Sequence, residues 1–201
     1  MMLWIKICGM TSPAAVEACL DGRVDAIGFV FAESVRQVTP TKAAALAAPA
    51  RGRVICTAVT RQPTQQAIDE IIEMFKPDLL QTDAEDLPRL RLPQQLALLP
   101  VFRRQPAEEA PLPARLLFEG LTSGSGIPSD WKSAYHLARR TELILAGGLN
   151  ANNVATAVEE VRPIGVDVSS GVEARRGVKS PAEIVRFVSA ARSVSGTKEI
   201  L

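Results

Sequence analysis

The sequence predicts an α/β protein, a (β/α)8 barrel of eight parallel strands. Three observations point there: eight short apolar runs recur along the chain, several are hydrophobic almost without interruption, and amphipathic stretches separate them. Uninterrupted hydrophobicity marks parallel strands covered on both faces, because a sheet wetted on one side alternates with polar residues. A chain of 201 residues closes such a barrel as one domain, 1–201, at the lower length limit of the fold. An open doubly wound sheet is the alternative arrangement of the same units.

The runs are 3–8, 26–31, 54–59, 78–81, 96–102, 115–119, 143–146 and 165–168. Helices are expected after most of them. The clearest is 13–20, with Ser12 as N-cap, Pro13 at the first helical position, and Ala14, Ala15, Ala18 and Cys19 as its small apolar face. Segment 63–75 carries Ile68, Ile71, Ile72 and Phe75 at helical spacing, and 152–160 and 181–191 complete the pattern, the last with Ile184, Val185 and Val188 inward. The second, fourth and fifth units are weak: 41–48 is alanine-rich, 87–92 allows one or two turns, and 105–113 holds three prolines. The end of the chain, 193–201, reads as a frayed or weakly helical tail.

Composition narrows the partners. With 23 basic and 22 acidic residues the net charge is +1, so no global field draws in nucleic acid or an anionic membrane, and any anion must be bound locally. No apolar stretch approaches the roughly 18 to 20 residues that cross a bilayer, and no long hydrophobic leader opens the chain. A soluble, cytoplasmic protein is expected. Cys8, Cys19 and Cys56 form an odd set without CxxC spacing, which speaks against a disulfide framework and, with His136 the single histidine, against a metal site.

In a parallel barrel the chemistry gathers where strands end at their C-terminal side. Run one ends at Cys8, run two leads into Ser34-Val35-Arg36, run four ends at Gln81-Thr82-Asp83 and run six at Glu119-Gly120. The last two exits are glycine turns, Gly147-Gly148 before the helix near Asn152, and Ser169-Ser170-Gly171. Their amides can approach an anion closely, so Gly147, Gly148, Ser169, Ser170 and Gly171 are expected to bind phosphate. Alternation along run one puts Lys6 and Cys8 inside the barrel and Leu3, Ile5 and Ile7 against the helices. Lys6 and the N-terminus of the following helix would lower the thiol's pKa and suit Cys8 to act as a base. Glu119, in an enclosed mouth, would serve as the matching acid. Arg36 could take a substrate carboxylate or be a solvated charge; Asp167 could bind a hydroxyl or pair with Lys6. Cys19 and Cys56 are read as inert core thiols, and His136 as a bystander on an outer helix.

These motifs resemble the phosphoribosylanthranilate isomerase family of tryptophan biosynthesis over nearly the whole chain. The likeness lies in Lys6 to Thr11, in Gly28 to Phe31 with Ser34 and Arg36, in Leu145 to Leu149 with Asn153-Val154, and in Gly165 to Glu173. The resemblance implies a cofactor-free (β/α)8 barrel, monomeric or homodimeric, that converts the phosphosugar N-(5-phosphoribosyl)anthranilate into its 1-deoxyribulose isomer by an Amadori rearrangement. It implies Cys8 as the base at C2, Glu119 in the place of the acid that opens the ring, Arg36 near the anthranilate carboxylate and Asp167 near the sugar, with Lys6 and Asp83 also binding substrate. The chain departs from the commoner pattern: Glu119 stands for an aspartate, Val35 for a proline, Gln81-Thr82-Asp83 for Gln-Leu-His, and Ser180 for an aspartate. Gly120 is expected to let the backbone withdraw for the longer acid. Turnover of a second phosphosugar, or phosphate binding without catalysis, are the alternative functions.

Overall fold

The computed structural model of the chain describes residues 2–120 and 129–195. Its eight parallel strands are β1 (Trp4–Cys8), β2 (Ala26–Val30), β3 (Ile55–Val59), β4 (Leu79–Asp83), β5 (Ala97–Phe102), β6 (Arg115–Phe118), β7 (Glu142–Leu145) and β8 (Gly165–Val168). Each pairs with the next and β8 pairs with β1, so the sheet closes rather than staying open. All eight apolar runs form strands. β4 runs two residues beyond its run, which carries the ladder to Asp83 at the mouth.

Helices cover the outside: α1 (Pro13–Asp21), α2 (Pro40–Ala47), α3 (Gln65–Glu70), which widens into a single π-helical turn at Ile71–Phe75, α4 (Trp131–Ala138), α5 (Val154–Val161) and α6 (Pro181–Ser195). Ser12, Thr39 and Thr64 cap the first three, each hydroxyl accepting the amide three residues on, which satisfies a donor that the first turn leaves without a partner. The weak units stay weak. The fourth holds one 3-10 turn, Leu87–Arg89, and 105–113 forms no helix, since Pro106, Pro111 and Pro113 each remove a backbone donor. The tail 196–201 lies outside the described residues, while α6 reaches Ser195, beyond the expected 191. A short antiparallel hairpin after β8, β9 (Glu173–Arg175) and β10 (Val178–Lys179), was not evident in the sequence pattern.

The core has two layers. Ile5, Ile7, Ile27, Phe29, Leu116, Phe118 and Val166 face the helices, in one cluster with Cys19, Ile184 and Phe187. Inside the barrel, Leu99, Val101, Leu117, Ile144 and Ala146 pack together on the β5 to β7 side. The opposite interior is polar, with Lys6, Thr57, Gln81 and Asp167 buried on β1, β3, β4 and β8. At the N-terminal end of the barrel, Asp25 and Asp78 accept the Ile5 and Cys56 amides. The hollow there, ≈ 680 Å³ between Arg23, Arg53 and these carboxylates, sits where the strands start and is structural in character.

Candidate active site

The register of β1 against β8 sets Lys6 beside Asp167, and the lysine Nζ lies 2.9 Å from Asp167 Oδ1. Lys6 is completely buried, with its ammonium paired to Asp167. Burial alone would discharge this lysine, but the carboxylate outweighs it and keeps the pKa raised. Cys8 is buried at the exit of β1. Its thiol is pushed up rather than down. Desolvation dominates, and although Lys6 and Lys179 favour the thiolate, Asp167 and Glu119 oppose it. The lowering expected from Lys6 is therefore outweighed, first by burial and then by the neighbouring Asp167 carboxylate. Cys8 rests as a neutral thiol.

Arg36 forms a fork on Glu173, with Nε 2.6 Å and Nη2 3.0 Å from the two carboxylate oxygens. Lys179, also buried, donates to the same carboxylate at 2.9 Å and to the Ser169 carbonyl at 2.8 Å, and the Gly177 amide donates at 3.0 Å. Burial works against the charge on Glu173, yet these donors prevail and bring its pKa down to about 2. The hairpin is thereby tied to the loop that carries Arg36.

Glu119 points into the mouth. Its parity follows Leu117, which lies in the inner cluster, and its Oε2 sits 3.0 Å from Arg103 Nη1. Arg103 also reaches Asp83, with Nε at 3.0 Å and Nη2 at 2.8 Å from Oδ1. Asp83 and Arg103 line a cleft of ≈ 720 Å³ with Arg61, Val101 and Phe102. At Gly120 the nearest described atom to an added Cβ is Ser129 Cα at 3.7 Å, an ordinary contact, so the described neighbours give no sign that glycine is needed to house the longer acid.

The two glycine turns meet. Gly147 and Gly148 have φ of +92° and +65°, a region that side chains rarely enter, and so fold the chain back at the end of β7. A Cβ on Gly171 would lie 1.9 Å from the Leu149 carbonyl oxygen, so only glycine allows the second turn to sit against the first. Asn153 braces the first turn, donating to the Gly148 carbonyl and accepting the Asn150 amide. Ser170 and Gly171 open a 3-10 turn, where the first amides have no partner within the turn. Ser169 is differently placed from expectation: its hydroxyl donates to the Cys8 carbonyl at 3.1 Å and accepts from Lys179.

Glu119, Asp167, Arg36 and Lys179 are thus each close enough to Cys8 for their charges to act on it or its charge on them. Cys19 and Cys56 are buried, with pKa values pushed up by desolvation to about 12 and about 11, and His136 is exposed on α4, as expected of all three. Arg103 and Lys179 were not singled out from sequence, and Asn153 and Glu173 entered only as parts of the motifs, without a role. Of these, Arg103 carried a signal, standing at the exit of the fifth apolar run in the parity of Val101.

Residues 5–190 match the family model described as N-(5'phosphoribosyl)anthranilate (PRA) isomerase. An N-(5'-phosphoribosyl)anthranilate isomerase of Rhizobium etli is 38% identical over 92% of either chain. Among solved structures, TrpF from Jonesia denitrificans is 33% identical, with a TM-score of 0.76 over 96% of this chain and 98% of that one. Phosphoribosyl anthranilate isomerase from Thermotoga maritima is 26% identical, with a TM-score of 0.80 over 96% of this chain and all of its own.

Proposed function

This chain belongs to the N-(5'-phosphoribosyl)anthranilate isomerase family and catalyses that isomerisation in tryptophan biosynthesis; from this premise we propose that Cys8 and Glu119 are its base and acid. The observation that carries the assignment is their inward placement at the exits of β1 and β6, within electrostatic reach of each other across one mouth. Glu119, protonated at the expense of the Cys8 thiol, gives that proton to the ring oxygen. The C1–O bond breaks as the anilino nitrogen lone pair forms a C1=N bond, leaving an iminium ion. Cys8, as thiolate, then removes the C2 proton, the C–H electrons form C1=C2, and the C=N electrons return to nitrogen. The resulting enol takes a proton at C1 from the Cys8 thiol while its hydroxyl proton passes to the Glu119 carboxylate, which gives the 1-deoxyribulose and restores both groups. The positive charge of the iminium, added to those of Lys6 and Lys179, favours the thiolate just when the base is needed.

The phosphate rests on Gly147, Gly148, Ser170 and Gly171, with Ser169 holding the second turn to the Cys8 strand. Asp167 meets a sugar hydroxyl, and Lys6 acts through Asp167 and Cys8 rather than on substrate. Arg36, steadied by Glu173, presents its remaining guanidinium edge to the anthranilate carboxylate. Asp83 lines the cleft and steadies Arg103. The enzyme works as a monomer or a homodimer. Three unpaired cysteines fit work in the reducing cytoplasm. With phosphoribosylanthranilate generated in situ, Cys8→Ser and Glu119→Gln should each lose most of the turnover followed as decay of anthranilate fluorescence, while still folding. Near-normal rates in either variant would remove that residue from its role.

A further inference from the structure

We propose that Arg103 is the positioning residue of the acid, holding Glu119 in place while Asp83 holds Arg103; this rests on the reading of Glu119 as acid. The strand register creates the arrangement. β5 pairs with β6 through Val101 and Leu117, and with β4 through Val101 and Asp83. Two residues beyond Val101 and Leu117, Arg103 and Glu119 fall side by side at the mouth, continued by the Glu119 amide donating to the Phe102 carbonyl at 3.0 Å. Arg103 then spans the gap, with Nη1 on Glu119 and with Nε and Nη2 on Asp83.

Glutamate has one more rotatable bond than aspartate, so a Glu119 carboxylate without a holder would spread over several rotamers. A guanidinium fixes it because its planar fork meets two carboxylates at once, which a lysine ammonium does less well. The reach also requires glutamate. An aspartate at 119 would withdraw the carboxylate by one C–C bond, about 1.5 Å, from a contact now at 3.0 Å. A histidine at 83 would present no anion to anchor Arg103. The two departures at Asp83 and Glu119 therefore form one change, organised around a single arginine.

A double-mutant cycle tests this, using Arg103→Met, Glu119→Gln and their combination in the full chain, with steady-state kinetics and thermal melting. Arg103→Met should lower kcat on the order of 100-fold, the scale of an acid misplaced by about 1 Å, with KM little changed. In the Glu119→Gln background it should cause no further loss, because the arginine acts only through that carboxylate. Arg103→Lys should recover part of kcat, and it carries the test if the methionine variant fails to fold. Loss in Glu119→Gln with full kcat in the Arg103 variants would overturn the proposal alone. So would losses that multiply, or a raised KM at unchanged kcat, which would make Arg103 a substrate ligand. Full turnover in Glu119→Gln would sink the acid assignment and this proposal with it.

Discussion

At Glu173 one carboxylate takes two bonds from Arg36, one from Lys179 and one from the Gly177 amide. Its pKa of about 2 lies below the ordinary 4.5, so between those values the unfolded chain takes up a proton that the folded chain refuses. The stabilisation is present in full above pH 4.5 and is lost as pH falls toward 2. Urea unfolding should therefore show the gap between wild type and Glu173→Gln widest above pH 4.5 and closing toward pH 2; a constant gap would mean that the donors do not act through ionisation. Residues of this kind are the hardest to find in a sequence. Cys8 and Glu119 were visible because a strand exit is a one-dimensional address. Glu173 lies 137 residues from the Arg36 it holds, and only the closed barrel makes them neighbours. The thiol was misread for a related reason: Lys6 two residues away promised an acidified Cys8, but closure of the barrel buries the thiol, and that desolvation, with Asp167 161 residues from Lys6 beside it, outweighs the lysine.

At the scale of elements, strands were read more surely than what joins them. A parallel strand buried on both faces announces itself by a short apolar run, several of them almost unbroken, and all eight runs form strands. Helices depend on caps and breakers, which is why Ser12 and Pro13 located α1 well while the prolines of 105–113 left the fifth unit with turns alone. The β9–β10 hairpin has three residues in one strand and two in the other, too few to show any period. The glycine turns were legible as turns, but their mutual contact was not. Gly171→Ala isolates that contact. The new methyl cannot coexist with the Leu149 carbonyl at 1.9 Å, so one turn must shift. A stability loss of about 1–3 kcal/mol by urea unfolding is expected, as for an overpacked site, together with weaker competitive inhibition by inorganic phosphate. An unchanged inhibition constant would separate the turn from the anion.

For the whole molecule, the interior is divided: an apolar half on β5 to β7, and a charged half that centres on β1 and β8. The closed arrangement follows from eight units of parallel strands, and the division does not, since it depends on which inward residues end up opposite each other. Among the described residues no helix is long and apolar enough to cross a membrane.

The pairing of β1 with β8 brings the earliest part of the chain against one of the last, and both the Lys6–Asp167 contact and the Ser169 bond to the Cys8 carbonyl lie on that seam. Contacts so distant in sequence form slowly, because a long loop must close first. The thiol therefore acquires its surroundings only when the ring joins up, after most helices and the other strand pairs can already exist. In a refolding experiment, return of turnover should lag behind return of the far-ultraviolet dichroism signal, and the isomerase would keep time for the closing of its own barrel.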